Sequence, residues 1–468
     1  MDDGCEVERW AKEQVASAKL GDVRRVRRAA SMLQRAAEQP AGRLTEVFET
    51  PAELQAAFDF IETDITPMAL TTAFAEASLR AVGDAPFFYA IVDGTSLSLT
   101  DASKTKDFGS IGMRSLPTRG LKVLDVLAVA ADGTPVGLLD LEFWVRGPKS
   151  KKPRSVRRRE GETETARWAD VVTRAGERVQ REASSCVPWF LIDREGDNAG
   201  VLRAAAKQGR FTIRAIQDRP VVLADGRRRP LLKHMRKRCT VGSYYIDVPA
   251  GPNRRARRAL LDVRFADIVL DLPEYATDSR TTLSVRVVWA HERSAPHGAE
   301  RLDWMLLTNA DVNGLDDAMA IIAGYCHRWR VEDFHRAWKS GHCNVEDTQL
   351  HTKDRVIRWA TMLAAVAARV ERLKHLARTQ PDAPATIALS VIEIEALRAA
   401  KTKIKKRTET IPEGVPTIAQ AVRWIADLGG YTGKSSGGPP GSTTIGRGLK
   451  RLLIWVDAFE YAEKLRQK

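Results

Sequence analysis

Residues 322–341 carry the pattern from which the fold and the site can be predicted, and they read Ile322-Ala-Gly-Tyr325-Cys-His-Arg328-Trp-Arg-Val-Glu332-Asp-Phe-His-Arg-Ala-Trp-Lys339-Ser-Gly341. No proline occurs between Leu315 and Ser340, and the apolar residues recur at helical spacing. Both features predict one continuous helix that ends near Gly341.

Four polar side chains of this predicted helix share one face, because the steps between them approximate whole turns: Tyr325, Arg328, Glu332 and Lys339. A carboxylate flanked by a phenol and two cations could bind a metal ion while the cations neutralise the oxygens of a phosphate. A solvated charged face is the alternative, and for an arbitrary helix it is the more common one. The rest of the chain decides between the two.

The overall charge points to a polyanionic partner. The 468 residues include 74 Lys and Arg against 60 Asp and Glu, which leaves a net charge of +14. Nucleic acid is the simplest partner for such a charge, although an anionic membrane surface would also be attracted. No apolar run is long enough to span a bilayer and the first residues are acidic, so we expect a cytoplasmic protein without a membrane partner.

Metal binding through cysteine is not favoured. The five cysteines are scattered, odd in number and free of any Cys-x2-Cys pair, which is typical of reduced thiols. Four residues that lie close together in sequence could suggest zinc, namely His335, His342, Cys343 and His351. The paired spacing of a structural zinc site is missing from this group.

Residues 1–80 are predicted to be entirely helical. Asp22 can cap a helix whose first two turns carry four arginines, Arg24, Arg25, Arg27 and Arg28. Cations are unfavourable at the positive end of a helix dipole, and a bound polyanion would offset that cost. We therefore predict a helix that contacts phosphates, with a solvated surface helix as the alternative. The segments 51–60 and 67–82 should close a small bundle with it.

From residue 87 the spacing of the apolar residues changes from that of helices to that of strands. The apolar runs Phe87–Asp93 and Val187–Asp193 each end on an aspartate. With strand-like segments at 121–130, 136–145 and 210–216 and helices at 163–184 and 197–207, they predict a mixed sheet with helices packed on it. Residues 219–301 instead alternate short strands with basic and Gly/Pro turns, as in an inserted antiparallel β-domain.

The predicted fold is therefore α/β, with five segments along the chain. These are a helical N-terminal domain (1–80), the first part of the α/β core (85–218), the β insertion (219–301), the second part of the core (302–378) and a helical C-terminal domain (379–468). The last domain has an apolar stripe suited either to its own core or to a second protomer, made of Leu449, Leu452, Leu453, Val456 and Phe459.

Two loops are candidate ligand-binding segments. The strongly basic loop from Arg146 to Arg159 includes Lys151 and Lys152 and is predicted to lie along a phosphate backbone rather than to be merely solvated. The other loop, Gly-Gly-Tyr-Thr-Gly433-Lys434-Ser435, is one residue short of a P-loop and follows a helix-like segment where a strand should stand. No nucleotide cofactor is expected.

Three carboxylates are predicted to meet. Neighbouring strands of one sheet would bring Asp93 and Asp193 together at its edge, and Glu332 would join them from a helix packed on the sheet. Carboxylates this close repel one another unless divalent cations lie between them, and oxygen ligands suit magnesium or manganese. Such a cluster serves in-line phosphoryl transfer.

Three sequence blocks resemble those of the DDE transposases of the insertion-sequence-four family: Asp93-Gly-Thr-Ser-Leu-Ser, Asp193-Arg-Glu-Gly-Asp197 and Tyr325-x2-Arg328-x3-Glu332-x6-Lys339. The resemblance covers nearly the whole chain. It implies an RNase H-like catalytic core interrupted by a β insertion, an N-terminal domain that recognises transposon ends, and a C-terminal dimerisation domain.

The resemblance also implies roles for single residues. Asp93, Asp193 and Glu332 would hold two Mg²⁺ (or Mn²⁺) ions, while phosphates beside the scissile bond would be held by Tyr325, Arg328 and Lys339. Trp304 would stack on a base flipped out of the hairpin at the transposon end, unless it is an inward-facing aromatic of a strand. Arg214 aligns with an arginine near the active site, and the basic loop falls where the family contacts DNA.

The implied function is cut-and-paste DNA transposition in the bacterial cytosol or nucleoid. A homodimer would synapse two double-stranded transposon ends, cleave them through a hairpin intermediate and join the 3′ ends to target DNA. Two alternatives remain open. One is a regulator that binds ends without cutting them, and the other is an RNase H-like nuclease that never joins strands.

Overall fold

The structure is a computed structural model that describes residues 6–466 except 102, 113–117, 148–149, 249, 251–254, 276, 278, 406, 408 and 434–437. Lys434 and Ser435, on which the comparison with a P-loop depends, lie outside the described residues.

The N-terminal region is helical, as predicted. Its elements are α1 (Glu6–Val15), α2 (Val23–Glu38), α3 (Leu44–Val47), α4 (Pro51–Glu62) and α5 (Pro67–Val82). Asp22 caps α2, since its Oδ1 accepts a hydrogen bond of 2.7 Å from the backbone N–H of Arg24. The buried sides of these helices belong to the same hydrophobic core as one face of the central sheet, so the bundle rests on that sheet.

The central α/β region follows in the predicted order. It contains β1 (Phe87–Ser98), β2 (Gly109–Ser110), β3 (Arg119–Val129), β4 (Pro135–Trp144), α6 (Arg154–Arg159), α7 (Glu164–Glu182), β5 (Val187–Ile192), α8 (Ala199–Gln208) and β6 (Arg210–Arg214). The strands lie side by side in the order β4-β3-β1-β5-β6. Strand β3 is antiparallel to both of its neighbours, β4 and β1, and β1, β5 and β6 are parallel.

One prediction about β1 is wrong. Asp93 does not close the strand, because β1 continues to Ser98 and keeps pairing with β3 along that extension. Asp193 does follow the last residue of β5 directly. In the parallel register Val92 pairs with Ile192, so the two aspartates occupy the next position on neighbouring strands.

Residues 219–301 are antiparallel, but they extend the central sheet. The elements are β7 (Pro220–Val222), β8 (Arg228–Pro230), α9 (Leu231–Met235), β9 (Gly242–Val248), β10 (Arg257–Glu274) and β11 (Ser279–Glu292), and β12 (Asp303–Thr308) then pairs with both β11 and β6. The short strands predicted here are wrong, since β10 has 18 residues and β11 has 14. The polar residues Asp262 and Asp271 of β10 are buried but ion-paired with arginines, so they do not end the strand.

The C-terminal half is helical: α10 (Leu315–Cys326), α11 (Arg330–Lys339), α12 (Lys353–Thr379), α13 (Val391–Ile404), α14 (Ile418–Leu428) and α15 (Ser442–Arg466). The single helix predicted up to Gly341 is interrupted by one 3₁₀ turn, His327–Trp329, between α10 and α11. In the predicted apolar stripe, the residues Leu449, Leu452 and Val456 pack in a core made by the chain's own C-terminal helices. None of the helices in the described ranges is long and apolar enough to cross a membrane.

Candidate active site

The site is built on the middle of the sheet, where β1 and β5 run parallel. Asp93 on β1 is 7% exposed, and its Oδ1 accepts a hydrogen bond of 2.9 Å from the backbone N–H of Gly94. Asp193 is half-buried and begins a 3₁₀ turn, Arg194–Gly196. The hydroxyl of Tyr325 lies 3.4 Å from Oδ1 of Asp193. Helix α10 thereby contacts the end of β5.

Arg328 connects the helical segment with the sheet. Its Nη1 lies 3.4 Å from Oδ2 of Asp93 and 3.5 Å from Oε1 of Glu332. The guanidinium and Asp93 are both buried, so Arg328 neutralises a carboxylate that water barely reaches, whereas the side chain of Glu332 is 43% exposed. The predicted shared face is observed for these side chains in spite of the 3₁₀ turn.

Lys339 lies further along the same face. Its Nζ is 3.3 Å from Oγ1 of Thr95 and 3.7 Å from Oε1 of Glu346. Thr95 is two residues beyond Asp93, on the part of β1 that the sequence did not predict. Lys122 on β3 adds a second ammonium here, 3.0 Å from Oγ of Ser96.

Two residues of the site were missed by the sequence reasoning. Asp125 on β3 is the direct cross-strand partner of Asp93, and it is fully buried. Its Oδ1 lies 2.6 Å from Nε2 of His335 on α11. The sequence indicates His335 only as a member of the possible zinc group. The available signal for Asp125 was a lone carboxylate within the apolar run Leu121–Val129.

Burial controls the protonation of this centre. It raises the pKa of Asp93 to about 7, against the attraction of the neighbouring His335 and Arg328. Burial alone would lower the pKa of His335, but the carboxylate of Asp125 raises it above its ordinary value. The pKa of Tyr325 is also raised, by burial and by Asp193 beside it. The phenol is therefore a neutral hydrogen-bond donor at pH 7.

The side chains fit a divalent cation. Asp93, Glu332 and His335 each offer one ligand atom, and these atoms lie within 4.8 Å of one another. Carboxylate oxygens suit magnesium or manganese, and an imidazole nitrogen is accepted by manganese and later transition metals. Asp193 is not a member of this group, although its charge acts on Arg328 together with those of Asp93 and Glu332.

Trp304 and Arg214 lie on adjacent strands beside Tyr325. The ring of Trp304 on β12 is half-buried and meets the Tyr325 ring edge-on, with centroids 6.5 Å apart. Arg214, at the end of β6, donates a hydrogen bond of 3.1 Å to the carbonyl of Asp303. The sheet therefore brings both predicted residues close to the centre.

The remaining predicted DNA contacts lie on other elements. Arg24 and Arg28 of α2 are exposed, whereas Arg25 forms an ion pair of 3.3 Å with Asp64. In the basic loop Lys151 is exposed, and Nζ of Lys152 lies 2.7 Å from Glu160 and 2.8 Å from Glu162. Both helix and loop thus keep exposed cations, but Arg25 and Lys152 are already paired.

Zinc is not supported by the geometry. Among the described residues, two groups of side chains are close enough to hold a metal ion, and neither contains His342, Cys343 or His351. The second group comprises Asp333, Glu371 and His375, and the ammonium of Lys374 already lies between its two carboxylates.

Both ends of the chain are similar to known families. Residues 7–65 match a family described as transposase DNA-binding, and residues 365–467 match one described as the transposase Tn5 dimerisation domain. The first match covers α1 to α4, and the second begins within α12 and covers the three helices that follow. Together they support a Tn5-like DNA transposase, with DNA-binding and dimerisation regions at its two ends.

Proposed function

We propose that the protein is a cut-and-paste DNA transposase of the insertion-sequence-four family, resembling the transposase of transposon five. The observation that carries the proposal is the pairing of Asp93 and Glu332 with one buried arginine, beside a strand whose next position is Asp193, in a chain whose two ends match transposase regions. The cytosol or nucleoid of a bacterium is the compartment where such a protein would act.

An RNase H-like core is part of the proposal. The strand order β4-β3-β1-β5-β6, with three antiparallel strands followed by two parallel neighbours, supports it. In this arrangement β10, β11 and the short strands beside them would be the β insertion, joined to the core through β12.

The chemistry would be metal-dependent phosphoryl transfer. Two Mg²⁺ or Mn²⁺ ions held by Asp93, Asp193 and Glu332 would supply activation of the attacking oxygen and stabilisation of the leaving oxygen. With these carboxylates engaged, Arg328 would be released to bind a phosphate together with Lys339. The neutral Tyr325 hydroxyl would donate a hydrogen bond to a phosphate oxygen.

Hairpin formation and strand transfer complete the proposed reaction. After the first nick, the freed 3′-hydroxyl would attack the opposite strand, a water would open the hairpin, and the same hydroxyl would join target DNA. Trp304 would stack on the extruded base, a role supported by its partly exposed indole beside Tyr325. A homodimer would hold both ends.

A cleavage and joining assay tests the proposal. Inverted repeats in the DNA that flanks the reading frame would supply the ends, and the products with Mg²⁺ or Mn²⁺ would be separated on denaturing gels. We expect nicked, hairpin and joined products from the wild type, and a loss of at least about 10³-fold in Asp193→Asn or Glu332→Gln. Asp311→Asn, an exposed carboxylate paired with Arg286, serves as the control.

The products also separate the alternatives. Cleavage without joined products would identify a nuclease that never transfers strands. Binding of the ends without any cleavage, in the presence of either metal, would identify a regulator. Unchanged cleavage in Asp193→Asn would refute the assignment of the carboxylates.

A further inference from the structure

His335 and Asp125 form a buried pair directly beside the carboxylates. His335 is 7% exposed and Asp125 is 0% exposed. The pair spans two elements, since α11 carries His335 and Glu332 one turn apart, while β3 carries Asp125 opposite Asp93. A buried carboxylate needs a partner, and Asp125 has this imidazole.

The contact of one ring nitrogen with a buried carboxylate is a feature that His335 shares with metal-bound histidines. In metal sites the second ring nitrogen usually donates to a carboxylate, which fixes the ring and makes the first nitrogen a better ligand. Here Nε2 is held by Asp125 at 2.6 Å, and Nδ1 has no hydrogen-bond partner among the described residues. A nitrogen of this ring lies within 4.8 Å of ligand oxygens of both Asp93 and Glu332.

We propose that His335, held by Asp125, is a further protein ligand of the metal site formed by Asp93 and Glu332. This inference rests on the proposed metal-dependent function and adds a nitrogen donor to an all-oxygen set. A nitrogen donor favours manganese over magnesium, because Mg²⁺ prefers oxygen ligands and retains its waters. Asp125 is a positioning residue that acts through the ring.

Direct detection of the nitrogen tests the proposal without relying on catalysis. One equivalent of Mn²⁺ is added to the full-length protein, and electron spin-echo envelope modulation is recorded with natural-abundance and with ¹⁵N-labelled histidine. We expect modulation from one coordinated imidazole that changes on ¹⁵N labelling. His335→Gln should lose it, and His327→Gln, a histidine eight residues earlier that belongs to neither metal group, should retain it.

The affinities of the protein for Mn²⁺ and Mg²⁺ provide a second measurement. We expect Mn²⁺ binding, measured by calorimetry, to weaken about 10-fold or more in His335→Gln and in Asp125→Asn, in line with losses at other supported sites. Mg²⁺ binding should change by less than about 3-fold in His335→Gln, since magnesium gains little from an imidazole.

The outcomes distinguish this inference from the proposed function. Bound Mn²⁺ without histidine modulation in the wild type would overturn the role of His335 and leave the carboxylate site intact. Failure of the wild type to bind Mn²⁺ at all would overturn both. Because the spectrum is recorded on the wild type, the test stands even if a variant does not fold.

Discussion

At the scale of single residues, Arg328 is the cation on which the metal-free centre depends. We expect Arg328→Gln to lower the free energy of unfolding by roughly 2–4 kcal/mol in EDTA at pH 8, because two neighbouring carboxylates then lose their buried partner. The loss should shrink at pH 6, since Asp93, with a pKa of about 7, can then take up a proton. Added Mg²⁺ should recover part of it.

Urea denaturation at both pH values, with and without Mg²⁺, measures this effect. Arg336→Gln is the matched control, because its side chain is 75% exposed on the same helix and its pair with Asp333 is solvated. That change should cost less than about 0.5 kcal/mol. Equal losses in the two variants, or a loss that does not depend on pH, would contradict the role given to Arg328.

Residue positions along one helical segment could be predicted from the sequence in spite of its 3₁₀ turn, and positions across strands could not. Tyr325, Arg328 and Glu332 share a face because helical spacing is local. Asp125 meets Asp93 only through the register of β3 on β1, which depends on pairing between distant segments. That is why the His335–Asp125 pair was missed while the helix face was predicted.

At the scale of elements, the backbones of α14 and α15 are in direct contact where the two helices cross. A Cβ added at Gly448 would lie 1.8 Å from the carbonyl oxygen of Ile425, and one at Gly429 would lie 1.9 Å from that of Thr444. We expect Gly448→Ala to destabilise the C-terminal region by about 1–3 kcal/mol in thermal or urea denaturation. Gly441→Ala, with no atom within 4 Å of the added Cβ, should have no such effect.

The contact of His342 with α15 should make stability depend on pH. Burial, and next the charge of Arg369, lower the pKa of His342 to about 4. Because the folded state resists protonation, this contribution is present above the ordinary pKa of about 6.5 and is lost as pH falls towards 4. Between pH 7.5 and pH 5 the loss should be about 2 kcal/mol at most.

The comparison of wild type with His342→Gln isolates this histidine from the other groups. The variant should show a smaller fall in unfolding free energy between the two pH values. His351→Gln, an exposed histidine nearby in sequence, should follow the wild-type curve. If the His342 variant also follows the wild-type curve, the histidine does not remain neutral in the fold.

Element types could be predicted better than element lengths. The N-terminal helices and the strands of the core follow local periodicity, so their bounds agree with the prediction to within a few residues. Strand β1 continues beyond Asp93, and β10 continues through Asp262 and Asp271. These continuations carry polar residues whose polar groups are satisfied only by their partners in the fold. The sequence alone shows the polar residues but not the partners.

At the scale of the whole molecule, α12 joins two hydrophobic cores. Its residues up to Ala368 pack with the sheet and the N-terminal helices, whereas Val370, Leu373 and Leu376 pack with α13 to α15. The two cores therefore meet within α12 between Ala368 and Val370, whereas the domain boundary predicted from the sequence lies at residue 379. The match to a dimerisation domain begins at residue 365, within the same helix.

The distribution of exposed charge predicts how the molecule binds DNA. Four exposed cations lie on two separate parts of the chain: Arg24 and Arg28 on α2, and Lys151 and Arg154 before and at the start of α6. If each contacts a phosphate of the same duplex, changing either pair to Ala should reduce the slope of log affinity against log salt by about 2, and changing all four by about 4.

Fluorescence anisotropy with end DNA at several salt concentrations measures these slopes, with Arg227→Ala in the β7–β8 hairpin as the control. If the reductions in slope of the two pair variants do not add up to that of the fourfold variant, the helix and the loop contact different DNA segments. An unchanged slope in the Arg24 and Arg28 variant would show that α2 is not part of the interface.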